Sequence, residues 1–76
     1  MKYLLSENIN IEDLARFIIN HDGEFVDEMN GISQIDSIDI IACYQEDAEK
    51  YRKYGKKIIT VTPLNVLFSC PPLRNF

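Results

Sequence analysis

The sequence is poor in the residues from which metal and catalytic sites are usually built. It contains one histidine, two cysteines 27 positions apart, and three glycines that are not clustered. A zinc site needs several histidine or cysteine ligands at short spacings, and a phosphate-binding loop needs closely spaced glycines. The sequence therefore predicts no metal site, no cofactor and no enzymatic activity.

Long apolar runs are also missing. No run approaches the roughly 18 residues that a membrane-spanning helix needs, and the first residues become acidic too soon for a secretory signal. Cys43 and Cys70 are too few and too unpatterned for a disulfide framework, and reduced thiols are typical of the cytoplasm. We therefore expect a cytoplasmic protein without a membrane segment.

What the sequence does have is enough apolar surface for one small core. The chain has 76 residues, of which 46% are hydrophobic, with four phenylalanines and four tyrosines. A chain of this length forms one domain. We expect residues 1–76 to be a single domain with its core at about 2–62, and residues 63–76 to be a tail that is either an edge strand or loosely packed.

Hydrophobic periodicity predicts alternating strands and helices. The predicted strands are residues 2–6, 24–29, 35–44 and 57–62, and the predicted helices are residues 11–21 and 46–54. In the first helix Asn10 is a suitable cap. A stripe at helical spacing, widened by Phe17 and Ile19, is expected to be buried, and it consists of Ile11, Leu14, Ala15 and Ile18.

Two features of the middle of the chain decide the fold class. Asn30 and Gly31 form the dipeptide typical of a type I′ hairpin turn, so strands are expected on both sides of them. Residues 35–44 fit a strand of period two, although Ile41, Tyr44, Ala48 and Tyr51 also fit a helical stripe. We prefer the strand because β-branched residues dominate up to Ile41.

The resulting βαββαβ order predicts an α+β fold. With right-handed crossovers it closes as a ferredoxin-like antiparallel sheet of four strands with two helices on one face. A looser α+β sandwich and a small helical bundle are the alternatives. This plan serves many functions, so it does not indicate one.

The charges are strongly segregated. Residues 7–49 carry all twelve carboxylates and one basic residue, whereas residues 50–57 carry five basic residues and no acid. Six carboxylates in or beside the predicted hairpin are expected to form a negative surface that binds a partner protein through a basic surface, and they are Asp22, Glu24, Asp27, Glu28, Asp36 and Asp39. We therefore predict a small acidic inhibitor or regulator of the type encoded by phages and mobile elements.

The basic block favours a different partner, but only weakly. Lysines and arginines interleaved with Tyr51 and Tyr54 are typical of nucleic-acid surfaces. However, cations near the end of a helix also suit its dipole, and the whole chain has a net charge of −4. Nucleic acid is therefore not the expected partner. Exposed strands at the sides of a small sheet would allow a homodimer.

Residues 36–39, with Ser37 in second position, resemble the Asp-Ser-Leu motif of acyl carrier proteins. The resemblance implies an all-helical fold, a phosphopantetheine arm on Ser37 and a role in carrying acyl groups. The departure from that family is the predicted hairpin before the serine and the predicted strand at residues 57–62. An acyl-carrier-like protein is therefore the alternative function, and a small-ligand regulatory domain is the third.

Overall fold

The computed structural model describes residues 1–64, in which four strands alternate with three α-helices. Short 3-10 turns at Ile35–Ser37, Gln45–Asp47 and Arg52–Tyr54 extend the helical segments. The strands and helices in chain order are β1 (Lys2–Leu5), α1 (Ile11–Asn20), β2 (Glu24–Asp27), α2 (Glu28–Ser33), β3 (Ile40–Cys43), α3 (Ala48–Tyr51) and β4 (Lys57–Thr60).

The four strands form one sheet in the order β2-β1-β3-β4, and every neighbouring pair is parallel. Lys2 is in register with Glu24, and Ile40 is in register with both Tyr3 and Lys57. The prediction of an antiparallel ferredoxin-like sheet is therefore wrong, and so is the helical-bundle alternative. The fold is a small α/β domain in which helical crossovers join each strand to the next.

The error arises at Asn30 and Gly31, which lie inside α2 and not in a hairpin turn. The Asp27 side chain caps this helix by accepting a hydrogen bond from the Asn30 amide at 3.1 Å. A Cβ atom on Gly31 would lie 2.6 Å from the Cγ and Cδ1 atoms of Leu4 in β1. The glycine therefore permits close packing of α2 on the sheet, and α2 carries the chain back across β1 to β3.

Helices cover both faces of the sheet, so alternate residues of the strands point into two different apolar clusters. Phe17 of α1 packs with Tyr3, Leu5, Ile40 and Ala42 on one face. Ala48 and Tyr51 of α3 belong to the cluster on the other face, with Leu4, Ile38, Ile41 and Cys43. Parallel strands covered in this way are apolar at consecutive positions.

Helix α1 begins where the sequence predicts but buries a different side. The Asn10 side chain accepts a hydrogen bond from the Glu12 amide at 2.8 Å, which confirms the predicted cap. The buried residues are Asp13 and Phe17, whereas the predicted stripe is largely exposed, since Ile11, Ala15, Ile18 and Ile19 face solvent. The side that faces the sheet therefore differs from the predicted one. It contains Asp13, which makes several hydrogen bonds there, as described below.

The remaining predictions are partly confirmed. Of the predicted strand at residues 35–44, only Ile40–Cys43 belongs to the sheet, and the first residues form the 3-10 turn Ile35–Ser37. Residues 45–54 are helical, with α3 between two 3-10 turns, and Gly55 ends them in the left-handed conformation at φ 68°. The tail prediction concerns residues 63–76, of which 65–76 lie outside the described part of the chain.

Candidate functional site

The six carboxylates predicted to bind a partner do not form one continuous surface. Because the strands are parallel, residues that precede strands and residues that follow strands lie at opposite ends of the sheet. Four of the six lie near the amino ends of β2 and β3, and we call them the amino-end acidic group: Asp22, Glu24, Asp36 and Asp39. Asp27 and Glu28 lie at the carboxyl end of β2.

Two members of the amino-end acidic group contact Lys2. The Lys2 amide donates a hydrogen bond to the Asp39 carboxylate at 2.9 Å, and the Lys2 Nζ atom lies 3.9 Å from the Glu24 carboxylate. The same ammonium group donates to the Gln34 side chain. All four carboxylates are exposed. This end of the sheet therefore presents four exposed acids, two of which contact the partly buried Lys2.

Ser37 lies beside the same lysine. Its hydroxyl group is exposed, donates a hydrogen bond to the Gln34 carbonyl at 2.8 Å and lies 3.5 Å from Lys2 Nζ. The residue ends a 3-10 turn and is followed by β3, so it does not begin a helix. The α/β fold also differs from the all-helical fold that the acyl-carrier resemblance implies.

Asp27 and Glu28 take part in the local structure of the carboxyl end. Asp27 caps α2, and Glu28 is buried with 7% of its surface exposed. The Glu28 Oε1 atom accepts hydrogen bonds from the Tyr51 hydroxyl at 2.7 Å and from the Glu7 amide at 3.0 Å. The Tyr51 hydroxyl is also 2.9 Å from the Ser6 hydroxyl. Glu28 therefore joins β1, α2 and α3 and is not available at the surface.

Burial and the neighbouring Glu28 carboxylate raise the pKa of Tyr51 above its usual value. The phenol therefore remains a hydrogen-bond donor to Glu28 at neutral pH. A neutral phenol beside a buried carboxylate satisfies the acceptor without introducing a second charge.

A second buried carboxylate, Asp13, lies at the carboxyl end on the other face of the sheet. It accepts hydrogen bonds from the Tyr44 hydroxyl at 2.5 Å, the Leu64 amide at 2.7 Å and the Arg16 guanidinium at 3.3 Å. The Tyr44 hydroxyl accepts in turn from the Asn10 amide at 2.9 Å. Asp13 thus links α1 to the segments that follow β3 and β4.

These hydrogen bonds change the titration of both side chains. The Tyr44 hydroxyl, the Leu64 amide and Arg16 lower the pKa of Asp13 because all three stabilise the carboxylate, although burial opposes them. Burial and the bond to Asp13 raise the pKa of Tyr44. Sequence reasoning missed this group. The signal was that Asp13 lies four residues before Phe17 and therefore on the same side of the helix.

An open cleft of about 400 Å³ lies beside Asp13, between the start of α1 and the segments that follow β3 and β4. In doubly wound sheets ligands bind at the carboxyl ends of the strands, where the strand order reverses, and here that point lies between β1 and β3. Two polar side chains that line the cleft, Asp13 and Tyr44, are joined by the hydrogen bond described above. Its exposed charges are the carboxylates Glu12 and Glu46.

The other candidate residues for chemistry, His21 and Cys43, pack within the fold. His21 packs its ring on Phe17 at a centroid distance of 3.9 Å, and its Nδ1 atom lies 2.9 Å from the Phe17 carbonyl oxygen. Cys43 is fully buried, and burial, with the charges of Asp47 and Glu28, raises its pKa. Within residues 1–64 no group of three or more histidines, cysteines and carboxylates is placed to hold a metal ion.

The basic block uses its aromatic rings within the fold. Tyr51 is buried, and the Nζ atom of Lys50 lies 5.4 Å from the centre of its ring. The Nζ atom of Lys53 lies 5.3 Å from the centre of the ring of Tyr54, which is half-buried. The buried Tyr51 ring is therefore not available for stacking on a nucleic-acid base.

Comparison with known proteins does not assign the chain to a family. No protein-family model matches the chain, and neither the curated proteins nor the solved structures contain a significant match to it. In the part of the chain that the structure describes, no helix is long and apolar enough to cross a membrane.

Proposed function

We propose that this protein is a non-enzymatic module that binds a partner protein through the partner's basic surface. The observation that carries the proposal is the number of exposed carboxylates without a counter-charge. Nine of the twelve acidic side chains are exposed. Among residues 1–64, only Glu24 and Glu49 of these nine form ion pairs, with Lys2 and Arg52 respectively.

An unpaired acidic surface favours association with a basic one. A carboxylate with a cationic neighbour contributes only part of its field to the surroundings, whereas an unpaired carboxylate contributes all of it. Such a field accelerates encounter with a basic partner and disfavours acidic partners. The amino-end acidic group is the part of the predicted site that the fold keeps together, and it is the first surface to test.

The test uses the full chain as bait in an extract of the organism that encodes it. We expect a basic protein that is captured by the wild type, released by salt, and lost when the bait carries Asp22→Lys and Asp36→Lys. Both of these side chains are exposed and make no side-chain hydrogen bond within the described residues, so the fold should be unaffected. Circular dichroism of the variant would check this.

A matched control places the same charge change at the opposite end of the sheet. Glu12→Lys and Glu46→Lys alter two exposed carboxylates at the cleft. If this control loses the partner and the amino-end variant keeps it, the binding surface lies at the carboxyl end. If neither variant changes capture, binding does not depend on these carboxylates and the proposal is wrong.

A further inference from the structure

Strand β2 ends the sheet, and among residues 1–64 it pairs with a strand on one side only. The Glu24 amide donates to the Met1 carbonyl at 2.9 Å, so the backbone groups of Glu24 point towards β1. Backbone direction alternates along a strand. The N–H groups of Phe25 and Asp27 and the carbonyl of Phe25 therefore point away from the sheet. An open strand side of this kind is a template for another strand.

The side chains of β2 are apolar in the middle and acidic at both ends. Phe25 and Val26 are half-buried, whereas Glu24 and Asp27 are exposed. Phe25 and Val26 are in register with Tyr3 and Leu4 of β1. The Phe25 and Tyr3 rings are stacked, with their centres 5.1 Å apart. The open side is therefore a four-residue template with a carboxylate at each end.

Helix α1 adds an apolar margin to this side of the sheet. A groove between α1 and β4 is lined by Arg16, Phe17 and Asn20, which identifies the flank of α1 that faces β4. Ile11 and Ile18 lie on the opposite flank of the helix, on the side of β2, and both are exposed.

A second copy of β2 is not the occupant that the charges of β2 favour. Two copies of β2 related by a two-fold axis pair antiparallel, with residues whose backbone groups point outward opposite each other. Phe25 of one copy then lies opposite Phe25 or Asp27 of the other, and β2 offers no basic residue to its own carboxylates. Opposite charges across a strand pair stabilise it, so a basic segment gains contacts that a second β2 does not. Pairing of β2 with β4 of a second copy is a head-to-tail contact, which builds rings or filaments and not a two-fold dimer.

We propose that β2 binds an extended segment of a partner protein that has basic residues opposite Glu24 and Asp27 and apolar residues between them. This inference rests on the proposed function and adds its mechanism, which is the addition of a strand to the sheet. Main-chain hydrogen bonds supply affinity in this mode, and the side chains supply specificity. The acidic ends of β2 thus select a basic strand.

The experiment uses the full chain labelled with ¹⁵N and a capped six-residue peptide, threonine-lysine-valine-valine-lysine-threonine. The two lysines are spaced to meet Glu24 and Asp27. We expect the peptide to shift the amide resonances of Phe25 and Asp27 and to slow hydrogen exchange of the Phe25 N–H at least tenfold at saturation. A version that is N-methylated at its valines, with unchanged charge, should bind at least tenfold more weakly.

Variants of the protein test the role of charge. Glu24→Gln with Asp27→Asn should weaken binding of the lysine peptide at least tenfold, and asparagine keeps the α2 cap. The matched control, Glu12→Gln with Glu46→Gln, removes the same charge at two exposed positions outside β2 and outside the amino-end acidic group, and it should weaken binding less than threefold. Equal binding of the N-methylated peptide, or no shift of β2 resonances, would overturn the inference.

The outcomes separate this inference from the function on which it rests. If the lysine peptide shifts the resonances of Asp22, Asp36 and Asp39 and leaves β2 unchanged, acidic binding stands and strand addition is wrong. If a peptide with glutamate in place of lysine binds β2 equally well, strand addition stands and the choice of a basic partner is wrong.

Discussion

The two ends of the sheet use the same chemical group in opposite ways. At the carboxyl end Asp13 and Glu28 are buried, and donors from other segments surround them. At the amino end Asp22 and Asp36 are exposed, and neither makes a side-chain hydrogen bond or ion pair within residues 1–64. The buried carboxylates of one end hold the fold together, whereas these two carboxylates of the other end remain in solvent.

The comparison teaches that burial separates the acids that several segments hold in place from the acids that remain in solvent. A buried carboxylate without donors is costly, so each one that the fold retains is tied to donors from separate elements. An exposed carboxylate keeps much of its water, although Asp27 and Asp39 each also accept one backbone hydrogen bond, from Asn30 and Lys2 respectively. Substitutions at the two ends should therefore affect different measurements.

The largest effect is expected from Glu28→Ala. It leaves the Glu7 amide without its acceptor and removes one partner of the Tyr51 hydroxyl, so the free energy of unfolding should fall by about 3 kcal/mol. Urea denaturation measures this. The control is Glu24→Ala at the amino end, which should change stability by less than about 1 kcal/mol. Equal losses would abolish the distinction between the two ends.

A smaller loss is expected from Tyr51→Phe. The ring stays in place, but Glu28 and Ser6 lose the hydroxyl group between them, which should cost about 1–2 kcal/mol. Tyr54→Phe is the matched control, since the Tyr54 hydroxyl makes no hydrogen bond within residues 1–64. If the two substitutions cost the same, the buried hydroxyl contributes nothing beyond ring packing.

The Asp13 cluster should appear as a dependence of stability on pH. The pKa of Asp13 is lower in the folded protein than the usual aspartate value of about 4. The ionised carboxylate therefore stabilises the fold above about pH 4, and this stabilisation is lost as the pH falls through the lowered pKa. Asp13→Asn should therefore melt at a lower temperature than the wild type at pH 7, and the gap should narrow towards pH 2.5.

The control for this titration is Asp36→Asn, an exposed acid of the amino-end acidic group. Its melting temperature should stay close to that of the wild type at every pH. A gap between Asp13→Asn and the wild type that stays constant from pH 7 to pH 2.5 would show that the Asp13 charge does not stabilise the fold.

The sequence predicts the elements of this fold better than their arrangement. Helix α1, its Asn10 cap and the helix end at Gly55 follow from local rules of capping and turn formation. The parallel sheet depends on Gly31, whose lack of a side chain serves contact with Leu4 and not turn geometry. That contact spans 27 residues of sequence and leaves no local signal. One signal was available in the sequence. Ile40–Cys43 is a run of four apolar residues, and such a run is typical of a strand covered on both faces.

The candidate site shows the same limit. Clustering along the sequence grouped Asp27 and Glu28 with the binding acids, but the parallel sheet places them at the opposite end from Asp22 and Asp36. Whether an acid is buried depends on donors such as Tyr51 and the Glu7 amide, which come from distant segments. The exposed acids of the loops needed no such partner, and their exposure agrees with the usual behaviour of charged loop residues.

The smallest effect on stability is expected from Lys2→Met at the amino end. The substitution keeps the apolar stem and the amide that binds Asp39, and it removes the cation beside Glu24, so stability should change by less than about 1 kcal/mol. The lysine peptide should bind more tightly because the surrounding carboxylates are no longer partly neutralised, and added salt should reduce this gain. Lys53→Met removes the same charge at the basic block and should leave peptide binding nearly unchanged. If Lys2→Met destabilised the protein as much as Glu28→Ala, the amino end would also be a structural network, and its carboxylates would not be free to bind a partner.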